Sequence, residues 1–289
     1  KKTLPCGWNV LLDNYTGEAV IRVDAHAHIP VDFVSKNVKV LEEGEMVVGG
    51  VRPNIVDEET PWKDTLLLAE SSMFGSSIAP YRNGGNGTEE KIYMKSLFHA
   101  AYRREVFEEI GHYNESLART EDNEIHYRMR KAGFKLRFCP DIISYQHTRS
   151  SLPKMLKQKY GNGYWIGKTS KVCPKCLSIY HFVPFAFVSA IIASGSVIGA
   201  TGLAECIKKR HNHTLGKGIS ALRKVTVVLT TVMWVLYALM ASGMAAVSAF
   251  KAEDKRNITN ACLPVLFLLL HLSYGIGTIA GLMDKSKRG

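Results

Sequence analysis

Acid is missing from one long stretch of this chain. From Arg149 to Lys175 there are seven Lys or Arg residues and no Asp or Glu, and the stretch leads directly into an apolar run. That pattern fits the headgroup level of a bilayer better than a solvated surface helix. The chain as a whole carries 37 Lys and Arg against 26 Asp and Glu, a net charge of +11, with a pI near 9.3. Such a balance would also suit nucleic acid, but no recognisable nucleic-acid motif accompanies it, so none is expected as a partner. Cysteine is sparse, six residues scattered over 289, which does not look like a secreted disulfide framework. Cys173-Pro174-Lys175-Cys176 has zinc-knuckle spacing without a second Cys-x-x-Cys. Cys206, His211 and His213 could complete it only across an apolar run, so a closed four-ligand site is not expected. Lys1-Lys2-Thr3 opens without an apolar leader pattern, and no signal peptide is expected there.

Apolar runs are what the second half has in excess. Segments 178–204, 225–250 and 261–283 each exceed the roughly 20 residues that cross hydrocarbon. The spacing predicts an α/β unit over 1–149, a basic and aromatic interfacial segment over 150–176, and a membrane region over 177–289. Membrane lipid is therefore an expected partner. Loop 205–224 carries Lys208, Lys209, Arg210, Lys217, Arg223 and Lys224 against Glu205 alone. The positive-inside rule wants this loop and the basic segment before 178 on one side. Either the rule is overridden, or 178–204 is a re-entrant hairpin bent near Pro184 or Ser194-Gly195-Ser196.

In the first half, Ala19 to Val23 reads as a strand ending in Asp24-Ala25-His26-Ala27-His28 before Pro30. Alternate strand residues share a face, so Asp24, His26 and His28 could point together and hold Mg²⁺ or Mn²⁺. The plainer reading is a strand end with polar tips in solvent. Helices are expected over 3–15, from Pro30 to Leu41 and from Pro61 to Met73. Strands are expected over 46–51, 97–102, 135–138 and 141–146. The glycines of Met46–Val51 predict close approach of backbone or ligand. Residues 74–90 read as a functional loop with Tyr81-Arg82 inside it. A helix opens at Thr120-Glu121-Asp122-Asn123-Glu124. Three acids there also have an ordinary explanation, since each interacts with the positive end of the helix dipole by about 0.3–1 kcal/mol.

The order of these motifs resembles the family 2 glycosyltransferases, in particular the membrane-bound group that includes the succinoglycan glucosyltransferase. Gly17-Glu18 followed by Ile21-Arg22-Val23-Asp24-Ala25-His26 is similar to the family's metal motif. Ala101 to Gly111 resembles the strand and turn before the catalytic helix, and Glu121-Asp122 the Glu-Asp pair. Gln158 to Trp165 resembles the Gln-x-x-Arg-Trp region, and His271 to Gly277 also looks familial. Three departures stand out. Asn114 replaces the usual Asp, Gly161 stands where the Arg belongs, and the first 80–100 residues that hold the nucleotide base in such a fold do not precede the metal motif. A fragment of a longer product, or a truncated and inactive one, is the expectation from that last point.

The resemblance implies a partial GT-A fold and a hexosyltransferase. Sugar would pass with inversion from a nucleotide-diphosphate sugar to a lipid-linked or glycan acceptor, in exopolysaccharide or cell-surface glycan synthesis. Asp122 would be the base with Glu121 beside it, and Asp24 and His26 would hold Mg²⁺ or Mn²⁺. Arg82, Gln158 and Trp165 would contact substrate. The chain would be a multi-pass plasma-membrane protein with its catalytic part in the cytoplasm. Two other readings compete: a membrane subunit or scaffold that keeps half a transferase domain, and a metal-dependent amidohydrolase. The latter rests on Asp24-Ala25-His26-Ala27-His28 but lacks the eight β/α units that such a barrel needs.

Overall fold

The computed structural model describes residues 3–25, 27–75, 91–211 and 216–285, the side chain of Glu253 excepted. Helix α1 (Leu4–Asn14) is followed by β1 (Ala19–Ile21), β2 (Ala27–His28), α2 (Phe33–Glu42), β3 (Val47–Val51) and β4 (Asn54–Ile55). Next come α3 (Pro61–Ser71), β5 (Ile92–Tyr93), β6 (Ala101–Arg103), α4 (Arg104–Ile110), α5 (Glu121–Lys131), β7 (Leu136–Ile143) and β8 (Tyr145–His147). The main sheet has the order β1-β6-β3-β7-β5, and a small sheet has the order β2-β8-β4. Within the main sheet β3 and β7 run parallel, while the other pairs are antiparallel.

Successive residues of β3 serve opposite faces, as a pleated strand requires. Val47 packs with Tyr102, Ile125, Met129, Leu136 and Phe138 on the side covered by α4 and α5. Val48 packs with Phe33, Leu41, Ala101 and Ile142 under α2. The expectation of close approach at the β3 glycines holds for backbone: a Cβ on Gly50 would run into the Ile142 and Cys139 carbonyls, where the β3–β7 register shifts.

Several boundaries differ from the expected ones. The first strand ends at Ile21, not Val23, and Asp24 lies beyond it, where its carbonyl accepts from the Ala27 N–H at 2.9 Å across a turn. His28 belongs to β2 and pairs with Tyr145 of β8. Residues 97–100 are irregular, with His99 at φ 48, and only Ala101–Arg103 joins the sheet. The stretch 136–143 is one strand, because its pairing with β3 runs across the shift.

Helix α6 (Leu152–Val172) leads to α7 (Val183–Arg210), α8 (Lys217–Lys251) and α9 (Leu263–Met283). The last three lie within segments of 32, 35 and 26 residues that are long and apolar enough to cross a membrane. At 1.5 Å per residue, α7 alone is roughly 42 Å long against about 30 Å of hydrocarbon. It is one continuous helix through Ser194-Gly195-Ser196, so the re-entrant bend is not what folds. Phe187 stacks on Tyr237 and Glu205 contacts Arg223, which makes α7 and α8 an antiparallel hairpin. Its basic turn therefore lies at the end away from α6.

The α9 segment behaves differently. Its most apolar window is 39% buried by protein, against 6% for each of the other two. Leu66 and Ala69 of α3 and Met155 of α6 pack with Leu263, Leu266, Phe267 and Leu270. Glycines let α6 and α9 lie backbone to backbone. A Cβ at Gly163 or Gly167 would meet the backbone of Tyr274 or Thr278, and one at Gly277 or Gly281 that of Tyr160 or Tyr164. A buried ion pair, Lys159 Nζ to Glu70 Oε1 at 2.9 Å, ties α6 to α3.

Candidate active site

The apolar run into β1 carries one charge, Arg22. Its backbone N–H donates to the Ala100 carbonyl at 3.0 Å, which continues the β1–β6 pairing by one residue and turns the side chain inward. The guanidinium is buried and lies 5.3 Å from the Trp8 ring centre. Its Nε faces Asp24 Oδ1 at 3.3 Å, and its Nη2 donates to Glu121 Oε1 at 2.9 Å. Burial works against the charged guanidinium, but Glu121, then Tyr113 and Asp24, offset this and its pKa is raised. Two carboxylates nearly 100 positions apart in the chain thus share one cation.

On the other side of Asp24, His99 Nε2 stands 3.9 Å from Oδ2. The His99 side chain is fully buried, and its backbone adopts a left-handed φ rare for such a residue. Backbone strain of this kind costs about 1–3 kcal/mol and clusters at functional sites.

Below Arg22 runs a buried polar chain. Tyr102 OH meets His126 Nε2 at 2.9 Å, and Ser96 Oγ meets His126 Nδ1 at 3.0 Å. Burial, with the nearby Arg22 and Arg130 charges, depresses the His126 pKa to about 3. A neutral ring with one partner on each nitrogen follows, one donating and one accepting. Burial pushes the Tyr113 phenol up to about 12. Asn9 of α1 fixes the Tyr113 backbone from both sides, donating to its carbonyl at 3.0 Å and accepting from its N–H at 2.8 Å. Asn114, where the resemblance has Asp, closes its turn by accepting from the Ser116 N–H at 3.0 Å, so the amide oxygen serves where a carboxylate would.

Thr120, with φ 65, swings the chain into α5. Glu121 is buried against Arg22, and burial and the adjacent Asp122 raise its pKa, with Arg22 opposing. Asp122 is half-buried and its Oδ1 accepts from the Asn123 N–H at 2.8 Å. Thr120 Oγ1 lies 2.5 Å from Thr169 Oγ1 of α6, which brings α6 beside this helix start. On α6, the Gln158 Oε1 is buried without a hydrogen-bond partner among the described residues. Trp165 is half-buried and edge-on to Tyr164.

Asp24, Glu121 and Asp122 are thus gathered at one place, with α6 alongside. His26 and Arg82 lie outside the described residues. Among the described residues no three His, Cys, Asp or Glu side chains form a metal cluster. Asp24 still fits a hard divalent cation. Its Oδ2 lies beyond hydrogen-bonding distance of His99, and Mg²⁺ commonly takes only one or two carboxylates, filling the rest with substrate phosphates and water. Sequence reasoning passed over Arg22 and His99, although a lone arginine inside Ala19–Val23 was a visible signal. The open cavity of about 390 Å³ between α7 and α8, lined by residues such as Ile198, Thr230 and Trp234, holds no titratable group and is not this site.

Comparison with known proteins bears on the same residues. Residues 6–111 match the model of glycosyl transferase family 2. The chain is 26% identical to succinoglycan biosynthesis protein ExoA of Rhizobium meliloti (strain 1021) over 148 residues, 50% of this chain and 42% of that protein. It is 24% identical to a dolichyl N-acetyl-alpha-D-glucosaminyl phosphate 3-beta-D-2,3-diacetamido-2,3-dideoxy-beta-D-glucuronosyltransferase of Methanococcus voltae over 193 residues, 64% of this chain and 57% of that one. The chain thus spans about half the length of these two relatives. A solved structure, mannosyltransferase PcManGT from Pyrobaculum calidifontis with GDP-Man and Mn²⁺, aligns with a TM-score of 0.48 at 15% identity, covering 99% of this chain and 68% of that one. Residues 6–111 are thus similar to glycosyl transferase family 2, and the α/β unit that holds them precedes three helices long and apolar enough to cross a membrane.

Proposed function

We propose that the chain belongs to a membrane-bound glycosyltransferase that moves a sugar from a nucleotide-diphosphate donor to a lipid-linked saccharide in exopolysaccharide or surface-glycan synthesis. The observation that carries this is Arg22, which holds the carboxylate of the metal motif and that of the Glu-Asp pair on one guanidinium. A transferase needs those two functions within one substrate length of each other. The printed names of the relatives favour the acceptor class: one acts on a dolichyl-linked sugar phosphate and another serves succinoglycan synthesis.

Asp24, with His26 from the motif, is the pair to hold Mg²⁺ or Mn²⁺. When bound, the cation supplies positive charge where the leaving diphosphate becomes more negative. Asp122 takes the proton from the acceptor hydroxyl as its oxygen attacks the anomeric carbon from the face opposite the leaving group, inverting it. Asp122 suits that part because it is half-buried and open, whereas Glu121 is committed to Arg22. Glu121 then acts on position, keeping the helix start against β1. Gln158 offers a buried acceptor oxygen that a sugar hydroxyl would satisfy. Trp165 and Arg82 complete the substrate contacts. The protein would sit in the plasma membrane as a multi-pass chain with the α/β unit in the cytoplasm.

Asp122→Asn in the full-length protein should abolish transfer and leave nucleotide-sugar affinity within about threefold, since a hydrogen-bonding neighbour is kept. Equal loss of transfer and donor binding would remove Asp122 from the base role.

A further inference from the structure

One sequence motif has no place in the chemistry above, Cys173-Pro174-Lys175-Cys176. Its zinc-type spacing finds no further ligand, since no three His, Cys, Asp or Glu side chains gather among the described residues. Cys173 caps the C-terminus of α6, where its N–H donates to the Thr169 carbonyl at 2.8 Å. The chain then makes a single 3₁₀ turn over Pro174–Cys176, in which the Cys176 N–H donates to the Cys173 carbonyl at 3.2 Å. A turn closed in this way holds its first and fourth Cα atoms within about 7 Å, and side chains three apart in a 3₁₀ turn lie one over the other. A disulfide needs about 4.4–6.8 Å between Cα atoms, so the backbone already sets the two cysteines within reach of a bridge. Pro174 fixes φ inside the turn and keeps it formed. Both thiols are free, Cys173 half-buried and Cys176 buried at 8% exposure. Burial, with the Cys173 thiol beside it, raises the Cys176 pKa.

The turn is tied to the helix that carries Asp122. Thr169, whose carbonyl holds Cys173, meets the Thr120 hydroxyl through its own at 2.5 Å. Thr120 is the left-handed residue that leads directly into α5, and the 3₁₀ turn itself packs against α5. We infer that Cys173 and Cys176 are a thiol–disulfide pair, oxidised by a low-molecular-weight disulfide, and that closing the pair shifts the start of α5 where Asp122 stands. Cys173 is the accessible sulfur. Its thiolate attacks one sulfur of the oxidant, whose S–S bond breaks, and one thiol leaves. Cys176 then attacks the Cys173 sulfur of the mixed disulfide and expels the second thiol. Two electrons pass from the protein to the oxidant, and the two cysteine protons end on the thiols released. A disulfide is uncharged, so the burial that disfavours a Cys176 thiolate does not oppose the closed pair. Bonding draws Cys173 towards Cys176, and the pull reaches Thr120 through Thr169. Any effect on sugar transfer rests on the transferase reading; the pair and its pull on α5 do not.

The full chain in detergent micelles would be equilibrated in buffers of reduced and oxidised glutathione, its remaining thiols alkylated, and each cysteine followed by mass spectrometry. In the wild type Cys173 and Cys176 should lose alkylation together, with the mass loss of two hydrogens and no retained glutathione. Cys176→Ala should keep one glutathione on Cys173, whereas Cys173→Ser should leave the buried Cys176 without an adduct. The exposed Cys206 and Cys262 report that the oxidant is active. Amide hydrogen exchange over residues 118–125 should differ between the reduced and oxidised wild type and be alike for Cys173→Ser in both buffers. Transfer by the oxidised wild type should be slower by about tenfold or more, since a misplacement of about 1 Å can cost about 100-fold, and dithiothreitol should restore it. Glutathione that persists on Cys173 of the wild type, or two cysteines that stay alkylatable while Cys206 and Cys262 are oxidised, would overturn the pair. A pair that closes while exchange over 118–125 stays the same would overturn the pull on α5. A pair that closes and alters that exchange in a chain that transfers no sugar in either buffer, from a panel of nucleotide sugars, would remove the transferase reading and leave the thiol pair standing.

Discussion

Arg22 is the side chain on which the candidate site converges, and its removal should be felt in folding as well as in chemistry. Arg22→Met leaves Glu121 buried without its counter-charge. Breaking a buried ion pair from one side costs about 3–5 kcal/mol, and denaturant unfolding of the detergent-solubilised chain should report that scale. Because Asp24 and Glu121 share the guanidinium, Asp24→Asn and Glu121→Gln should combine non-additively, with a coupling of about 0.5–3 kcal/mol in a double-mutant cycle. Additive losses would mean that the two carboxylates do not sense each other. A second residue-scale expectation concerns His126. Its folded pKa of about 3 lies below the unfolded value of 6.5, so between those values the unfolded chain binds a proton that the native chain does not. Stability should therefore fall as pH drops from about 6.5 towards 3, and His126→Gln should flatten that slope. An identical slope in the variant would move the effect to another group. At this scale the sequence was legible where residue type alone signals chemistry. Asp24, Glu121 and Asp122 could be picked out from motif order, and they do come together. Arg22 stood out as a lone arginine in an apolar run, but its partners did not, and His99 carried no signal, because their surroundings arise from a strand ending two residues earlier than periodicity suggested and from a left-handed backbone at position 99.

Among the elements, α6 departs furthest from what its residues first suggest. Its lysines and aromatics read as a helix lying on a surface, and most of its lysines do face outward. The same helix buries Gly163 and Gly167 against α9, which answers with Gly277 and Gly281. Both pairs have the four-residue spacing of closely packed membrane helices. That signal was present in the sequence but is spread over segments more than 100 residues apart, and neither half declares its partner. Gly163→Ala or Gly277→Ala should destabilise the chain by about 1–3 kcal/mol through overpacking. Gly161→Ala, on the same helix with nothing nearer than 3.8 Å, should be neutral or gain up to about 1 kcal/mol from helix propensity. Thermal unfolding of the three variants side by side separates packing from propensity. Losses of equal size at all three positions would argue that glycine flexibility, not contact, is what α6 needs.

For the molecule as a whole, three apolar segments do not mean three equivalent spans. The α7–α8 hairpin exposes its sides along nearly its whole length, while α9 is shared between lipid-type packing and the α/β unit. The chain should resist extraction from membranes by alkaline carbonate and be released by detergent. Deleting 183–251 should weaken that resistance without unfolding the main sheet, read by circular dichroism. The hairpin also leaves the tension with the positive-inside rule in place, since it carries the basic 205–224 turn away from the equally basic α6. The seven cations from Arg149 to Lys175 are the counterweight on the domain side.

The return of the chain from α8 to the α/β unit is fastened by short-range polar contacts. Lys255 reaches Asp64 at 3.0 Å, and the Thr65 hydroxyl meets the side chains of Asn260 at 2.7 Å and Thr259 at 2.6 Å. Cutting the protein at residue 176 to obtain the α/β unit alone would strip partners from α3, leave Leu66 and Met155 bare, and take away the surface that α6 lies on. Crystallisation or assay of this protein would therefore be better served by excising only the hairpin and joining its two ends with a short polar linker, so that the last helix stays seated.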